Sequence, residues 1–199
     1  RMSTNQSGDL AFSASMFGPG IYTSNNWGIW VSRAGQLSRL VRLTDPSPVA
    51  GTTIGSFAAP GGSFIVLADS GAVVYTAMLL GGGANTTNNG TIIHAQDGAH
   101  TLVARAGVDL PGLPSGVRIK NNNLGLGARI SSQGHVALAA ELEGTGVVST
   151  NNAAMFLWTP GDSQGLRKIL REGEVIGQYR ITTIAPTGTD LQVNSFGEI

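Results

Sequence analysis

A sequence period of 63 residues organises the chain. The glycines Gly8, Gly71, Gly134 and Gly197 are spaced by that interval, and an alternating apolar segment follows each of the first three. A fixed long period decides the architecture before any local pattern does, because each copy is one structural unit that stacks on its neighbours. We therefore expect one repeat array over residues 1–199, divided into 5–67, 68–130, 131–193 and 194–199, the last being the start of a fourth repeat or an exchanged strand.

The segment after each of these glycines has the period of a β-strand. Small residues such as Ala11 and Ser13 alternate with larger apolar ones. Alternation with period two predicts a strand that is packed on both faces, with a close approach on the side of the small residues. The residues that share the other face are Leu10, Phe12, Ala14 and Met16, then Val73, Tyr75, Ala77 and Leu79, then Val136, Leu138, Ala140 and Leu142.

Three more short strands are predicted in each copy, separated by turn residues. In the first copy they cover 29–31, 40–42 and 64–67, and the later copies of the last one lie near 117–119 and 179–181. Tandem units of four antiparallel strands predict an all-β fold of β-propeller-type blades. Propellers close with about four to eight blades, and three copies are too few for that. A three-fold β-trefoil and a β-solenoid therefore stay as alternatives.

A loop rich in Gly, Ser, Thr and Asn joins the first two strands of every copy. Gly and Asn tolerate positive φ, and Asn side chains bond nearby main-chain groups, so the favoured role of these residues is to stabilise a turn. Binding of a glycan or a cation through the amide oxygens is the alternative. The loops end in the pairs Asn25 and Asn26, Asn88 and Asn89, and Asn151 and Asn152.

Arginines also recur, at Arg42, Arg105 and Arg171. The favoured interpretation is an ion pair between units or a charge-assisted bond to a loop carbonyl. A ring of anion-binding guanidinium groups is the alternative.

Composition argues against several classes of function. Charged residues are 12% of the chain and the formal net charge is zero, whereas a nucleic-acid groove needs a basic excess. No run of about 18 apolar residues occurs, so we expect no membrane span. There is no Cys, and the three His lack ligand spacing, so we expect no disulfide, no metal and no cofactor. The carboxylates form no catalytic pattern, and we expect no catalytic residues and no enzyme.

The three tryptophans lie on or beside the second strand of their copies. They are Trp27, Trp30 and Trp158. Burial between units is the favoured interpretation, since a large aromatic ring fills such a gap well. An exposed surface on which a carbohydrate stacks is the alternative.

The last segment of the chain repeats the lead-in to the first strand. Its candidate assembly residues are Val193, Asn194, Phe196 and Ile199. A strand that lacks its own sheet can add to the sheet of another copy. We therefore expect this segment to complete a unit in a neighbouring copy.

The pattern Asn5-x-x-Gly8-x-x-Ala11-Phe12 resembles bacterial surface proteins built from tandem Asn-x-x-Gly-x-(x)-x-Ala-Phe repeats with varied cell-surface anchors. A later stretch of those repeats, Val-Ala-Arg followed by Gly, Asp and Pro, resembles 103–111. The second and third copies depart from the pattern, with Ala68 and Ser131 in place of Asn. The resemblance implies an exported protein, extracellular or on the cell surface, and it brings no catalytic residues.

Together these features predict a non-enzymatic structural repeat protein. We expect it to assemble head to tail with other copies of itself in a surface layer, matrix or filament, or to act in adhesion, because a heterologous contact that does not close builds a fibre. A module that binds surface glycans is the alternative, and a hydrolase fragment is a further one.

Overall fold

The computed structural model describes residues 1–57, 64–121, 124, 128–185 and 191–199. Within them every regular element is a β-strand, so the prediction of an all-β fold is confirmed. The parts of the predicted repeats at 58–63, 122–123, 125–127 and 186–190 lie outside the described residues. The described strands form three separate antiparallel sheets and a two-stranded hairpin.

Sheet 1 is a simple meander of four neighbouring strands. Its short first strand pairs only with the beginning of the second, through Met2 opposite Phe12 and Thr4 opposite Leu10. The strands are β1 (Met2–Thr4), β2 (Leu10–Ser15), β3 (Trp27–Arg33) and β4 (Gln36–Arg42).

Sheets 2 and 3 share a second arrangement, in which the edge strand comes in two pieces. Both pieces pair with the same long strand, one at each end. Sheet 2 contains β5 (Thr52–Ser56), β6 (Ile65–Leu67), β7 (Val73–Gly81), β8 (Gly90–Gln96) and β9 (Ala99–Arg105). Sheet 3 contains β10 (Val117–Ile119), β11 (Ala128–Ile130), β12 (Val136–Gly144), β13 (Ala153–Trp158) and β14 (Arg167–Arg171). The hairpin is β15 (Val175–Ile176) with β16 (Tyr179–Arg180).

The fourth predicted strand of the first two repeats is a strand, but it belongs to the following sheet, whereas that of the third repeat is β16 of the hairpin. The segment β6 pairs with β7, and β10 pairs with β12, so each joins the unit that comes after it in the chain. The predicted equivalence of 64–67 with 117–119 is wrong, because β6 and β10 lie at opposite ends of their long strands. Each strand forms because of its local sequence pattern, whereas the strand with which it pairs is set by packing between units.

The repeated glycine turn has one conformation in all four copies. Gly8 N donates to Asn5 O at 3.2 Å, and the same bond returns from Gly71, Gly134 and Gly197 to the residue three before each. The four φ angles lie between +78° and +87°. That left-handed region favours glycine, which explains why the glycine recurs although the first turn residue varies between Asn, Ala and Ser.

The sheets stack face against face in chain order. One apolar cluster joins sheets 1 and 2 through residues such as Ile29, Val31 and Tyr75. A second cluster joins sheets 2 and 3 through residues such as Ile92, Leu138 and Phe156. Most of the fully buried large side chains belong to these two layers, so the stability of the fold resides at the junctions between units.

Candidate interaction surfaces

Each sheet has two distinguishable faces, because side chains alternate along a strand. We call the side that carries Phe12, Tyr75 and Leu138 the front face and the opposite side, with Ala11 and Val74, the back face. Tyr75 lies in the layer between sheets 1 and 2, together with Ala11. Leu138 lies in the layer between sheets 2 and 3, together with Val74. Both junctions therefore place the front face of the later unit on the back face of the earlier one.

The repeated turns make contacts between neighbouring units. Gln6 N donates to the Asp69 carboxylate at 2.8 Å, and Ser70 N donates to Ser132 O at 3.0 Å. Because Gln6 and Asp69 are one repeat apart, the first two turns lie side by side. The fourth turn also lies beside the one before it, since a Cβ added at Gly197 would lie 3.0 Å from Nδ1 of His135, the residue that follows the third turn.

Tyr75 is buried on the front face of sheet 2, and its hydroxyl lies 2.9 Å from His100 Nδ1. Burial, and then the charge of Asp45, raise the pKa of Tyr75 above its ordinary value. Burial lowers the pKa of His100, although Asp45 opposes the change. The pair is therefore neutral near pH 7, and it joins β7 to β9 without burying a charge.

His94 is buried at the second junction, where its ring packs at 4.9 Å from the Trp158 ring. Its Nε2 atom is buried and has no hydrogen-bond partner among the described residues. Burial lowers the pKa of His94 because the charged form loses its hydration. The neutral imidazole is the form that fits this site.

We expect acid to weaken the fold through His94. Its pKa is lower in the folded protein than in the unfolded chain, where it is about 6.5, so the unfolded state takes up the proton first and stability falls as pH drops below that value. The variant His94→Leu, which carries the residue found at the equivalent position Leu157, should show a shallower loss of melting temperature between about pH 7.5 and pH 5.

The control for this prediction is His100→Leu, which removes the half-buried imidazole beside Tyr75 and leaves His94 in place. If His94→Leu keeps the full pH dependence of the unmodified protein, the burial of a neutral His94 is wrong.

The front face of sheet 1 is open within the described residues. Phe12 stands one repeat before Tyr75 and two before Leu138, both of which are fully buried. Phe12 is only half-buried and belongs to neither apolar layer, and Trp30 beside it on β3 is also half-buried. This face therefore has the residues of a junction, but no sheet packs on it in the described part of the chain.

The back face of sheet 3 is covered by the last part of the chain. Ala137 and Ala139 pack with Ile184 and Leu191 and with the half-buried Val193. No complete sheet lies there among the described residues. The cover is therefore a segment in the place where the earlier junctions have a full unit.

Glu172 holds this covering segment to sheet 3. Its carboxylate is buried and accepts hydrogen bonds from Ala153 N at 3.2 Å and from Ile184 N at 2.8 Å. In sheet 2 the comparable donor, Gly90 N, bonds to the Asn121 side chain at 2.9 Å. The repeat pattern does not reveal this role, because the two acceptors come from different positions of the repeat.

The Asn pairs act mainly within their loops. Asn25, Asn88 and Asn151 each accept a bond at 2.8 Å from the main-chain N–H three residues before. Each also donates to a glycine carbonyl of the same loop. These bonds fit the turn-stabilising interpretation.

The second member of each pair faces inward. The Asn89 side chain accepts a bond from Asn121 at 2.9 Å. Asn152, in the amide orientation that suits its neighbours, donates to Glu172 at 3.0 Å. Asn26 Oδ1 is buried and has no partner among the described residues.

Two of the recurring arginines bond a loop carbonyl. Arg105 Nε donates to Asn88 O and Arg171 Nε donates to Asn151 O, both at 2.8 Å. This confirms the charge-assisted bond to the loop for these two side chains. Arg42 Nε is buried without a partner among the described residues.

The tryptophans do not share one environment. Trp158 is 4% exposed and fills the second junction, as expected. Trp27 is 46% exposed, so the expectation that it is buried is wrong. It is the first residue of β3 and belongs to neither apolar layer, and Trp30 lies half-buried on the open front face.

The candidate assembly residues form no strand in the described structure. Val193 packs on the back face of sheet 3, and Asn194 begins the fourth glycine turn. Phe196 is 85% exposed and Ile199 is 45% exposed. The structure thus places this segment on its own chain and leaves two large apolar side chains in solvent.

No helix of the described residues is long or apolar enough to cross a membrane. No group of three or more His, Asp or Glu side chains in the described part of the chain is placed to hold a metal ion.

A search of curated proteins found no match to this chain. A family model described as a family of unknown function, DUF7453, matches residues 2–199. The match spans all three sheets, the hairpin and the fourth turn. The chain therefore belongs to the DUF7453 family.

Proposed function

We propose that this chain is a non-enzymatic structural protein that associates with other copies of itself, the front face of one copy packing on the back face of another. The observation that carries the proposal is the position of Phe12. Its two equivalents, Tyr75 and Leu138, are fully buried at junctions, whereas Phe12 stands on an open face.

The internal junctions explain why a second copy is the partner. They are heterologous contacts, since a front face meets a back face each time. A heterologous contact between copies forms a ring when its rotation closes and a fibre when it does not. The proposal that the sheets are propeller-type blades is supported by the same geometry, in which antiparallel sheets follow one another in chain order and pack face to face.

The cellular setting is part of the proposal. The resemblance to surface repeat proteins supports an extracellular or surface-attached location, with a role in a layer, matrix or filament. The low charge and the abundant Gly, Asn, Ser and Thr suit such a turn-rich scaffold.

A charge on the front face tests this association. We expect Phe12→Asp to reduce the weight-average mass at a fixed protein concentration to that of a single chain, because an unpaired buried carboxylate costs several kcal/mol. The matched control is Val148→Asp, in the loop between β12 and β13, where the native side chain is 57% exposed. Light scattering, together with melting curves of both variants, measures the outcome. Equal masses for the two variants would contradict the proposal.

A glycan- or ligand-binding module is the second candidate. A cleft of about 530 Å³ lies between the turn of β8 and β9 and the longer loop before β14. Its lining includes Asp97 and Asp162, and their carboxylates suit hydrogen bonds to a polyhydroxylated ligand. A glycan array without binding would eliminate this candidate.

A further inference from the structure

The hairpin of β15 and β16 is the third copy of a connection that occurs twice before in the chain. Its bridge between Val175 and Arg180 corresponds to the bridges of Pro46 with Thr53 and of Asp109 with Arg118. The bond from Gly173 N to Ile181 O, at 2.8 Å, has counterparts in both earlier copies, from Thr44 to Ile54 and from Gly107 to Ile119.

In the two earlier copies, the strand that leaves this connection pairs with the far end of the next long strand. Ile54 lies opposite Leu79, and Ile119 lies opposite Leu142. In the third copy, β16 pairs only with β15 among the described strands. The hairpin also exposes apolar side chains, with Ile176 56% and Tyr179 70% exposed.

Sheet 1 has the complementary gap. Its β1 runs beside the beginning of β2 only, so the stretch 15–18 has no edge-strand neighbour among the described residues. A Cβ added at Gly81 would lie 3.1 Å from Gly51 O, just before β5, and one added at Gly144 would lie 1.9 Å from Gly116 O, just before β10. At the equivalent Gly18 it would meet nothing within 4 Å.

The main chain at this gap has the register of the other two sheets. Met16 N donates to Asn26 O, as Leu79 N donates to Asn89 O. The N–H and C=O groups of the next residue, Phe17, then point to the opposite side, where the edge strand would lie. The Phe17 side chain is fully exposed.

We propose that residues 179–181 of one copy add to residues 16–18 of the next copy as an antiparallel edge strand. The register follows from the two internal examples: Ile181 opposite Met16, Arg180 opposite Phe17, and Tyr179 opposite Gly18. This inference rests on the proposed head-to-tail association and gives it a defined contact.

The segment that is displaced in the assembly is residues 191–199. Residues 191–193 stand three repeats after β1, so in a stacked assembly both would fill the same position. In every molecule of the assembly β1 is paired with β2, whereas residues 191–199 form no strand in the described structure. The neighbour's β1 therefore stays, and the segment from Leu191 onward moves away.

Disulfide trapping tests the register, because the chain contains no Cys. Phe17→Cys and Arg180→Cys are prepared as two separate proteins and mixed under mild oxidation. Directly opposite residues on neighbouring strands lie about 4.5–5.5 Å apart, within the range of a disulfide. The control mixture pairs Arg180→Cys with Tyr22→Cys, a 69% exposed loop position. We expect the 17–180 disulfide to form about tenfold faster than the 22–180 one, since distant Cα atoms are bridged only after movement.

A second variant uses no cysteine. Gly18→Ala adds a methyl group that meets nothing in the single chain but strains a backbone whose φ is +152°, so melting curves first establish that the variant is folded. In the assembly the same methyl group would strike the incoming strand, as it would at Gly144, and we expect the association to weaken at least about tenfold, since overpacking a close contact is destabilising.

The outcomes separate the two proposals. Oligomers of the unmodified protein, with equal rates in both cysteine mixtures or with full association of Gly18→Ala, would overturn the strand register and leave head-to-tail association standing. An unmodified protein that stays a single chain, with neither disulfide formed, would overturn both.

Discussion

Gly144→Ala is expected to lower the free energy of unfolding by about 3–4 kcal/mol, near the upper end of single-site effects. Gly144 ends β12 with a φ of +123°. A Cβ there would lie 1.9 Å from Gly116 O and 2.9 Å from Gly116 C, which no side-chain rotation relieves. The edge strand β10 would have to leave β12, and the layer between sheets 2 and 3 would lose the cover that Val117 and Ile119 provide.

The matched control is Gly146→Ala, two residues further on. Gly146 also has a positive φ, of +74°, but a Cβ there meets nothing within 4 Å. Only the backbone strain remains, and we expect a loss of about 1–2 kcal/mol. Urea unfolding of both variants gives the comparison. Equal losses would mean that the close approach of β10 to β12 is not part of the folded protein in solution.

Phe156→Ala is expected to cost about 3–5 kcal/mol, the usual range for truncating a buried aromatic side chain. Phe156 is fully buried in the layer between sheets 2 and 3, where it lies opposite Leu138 on the neighbouring strand. The loss combines the transfer of the ring to water with the cavity that it leaves behind.

Phe196→Ala serves as the control, because that ring is 85% exposed in the fourth turn. We expect a change within about 0.5 kcal/mol for this variant. Thermal or chemical unfolding of the two proteins measures the difference. If Phe156→Ala were as mild as the control, the junctions would not be the source of stability.

The strands and their period could be predicted from the sequence because both depend on local pattern. Alternation around Tyr75 and Leu138 predicts a two-faced strand, and the repeated glycine requires the same turn in each copy. The partner of an edge strand depends on which unit packs beside it. That is why the sequence pattern does not distinguish 64–67 from 117–119, although the two lie at opposite ends of their long strands.

The interaction surfaces were harder to predict for the same reason. Trp27 and Trp158 both lie on the second strand of their units, but Trp27 begins β3 and is 46% exposed, whereas Trp158 ends β13 and fills the second junction. The open edge at 15–18 has no signal of its own in the sequence. The open edge is a difference in structure, since sheets 2 and 3 have two edge-strand pieces and sheet 1 has one among the described residues.

Light scattering of the unmodified protein over a range of concentrations decides whether copies of the chain associate head to tail. We expect a weight-average mass that rises with concentration above the 20.4 kDa of one chain, with rings or fibres visible by electron microscopy at the upper end. A mass that stays at 20.4 kDa at the highest concentration would contradict this expectation, and the open front face would then need another occupant.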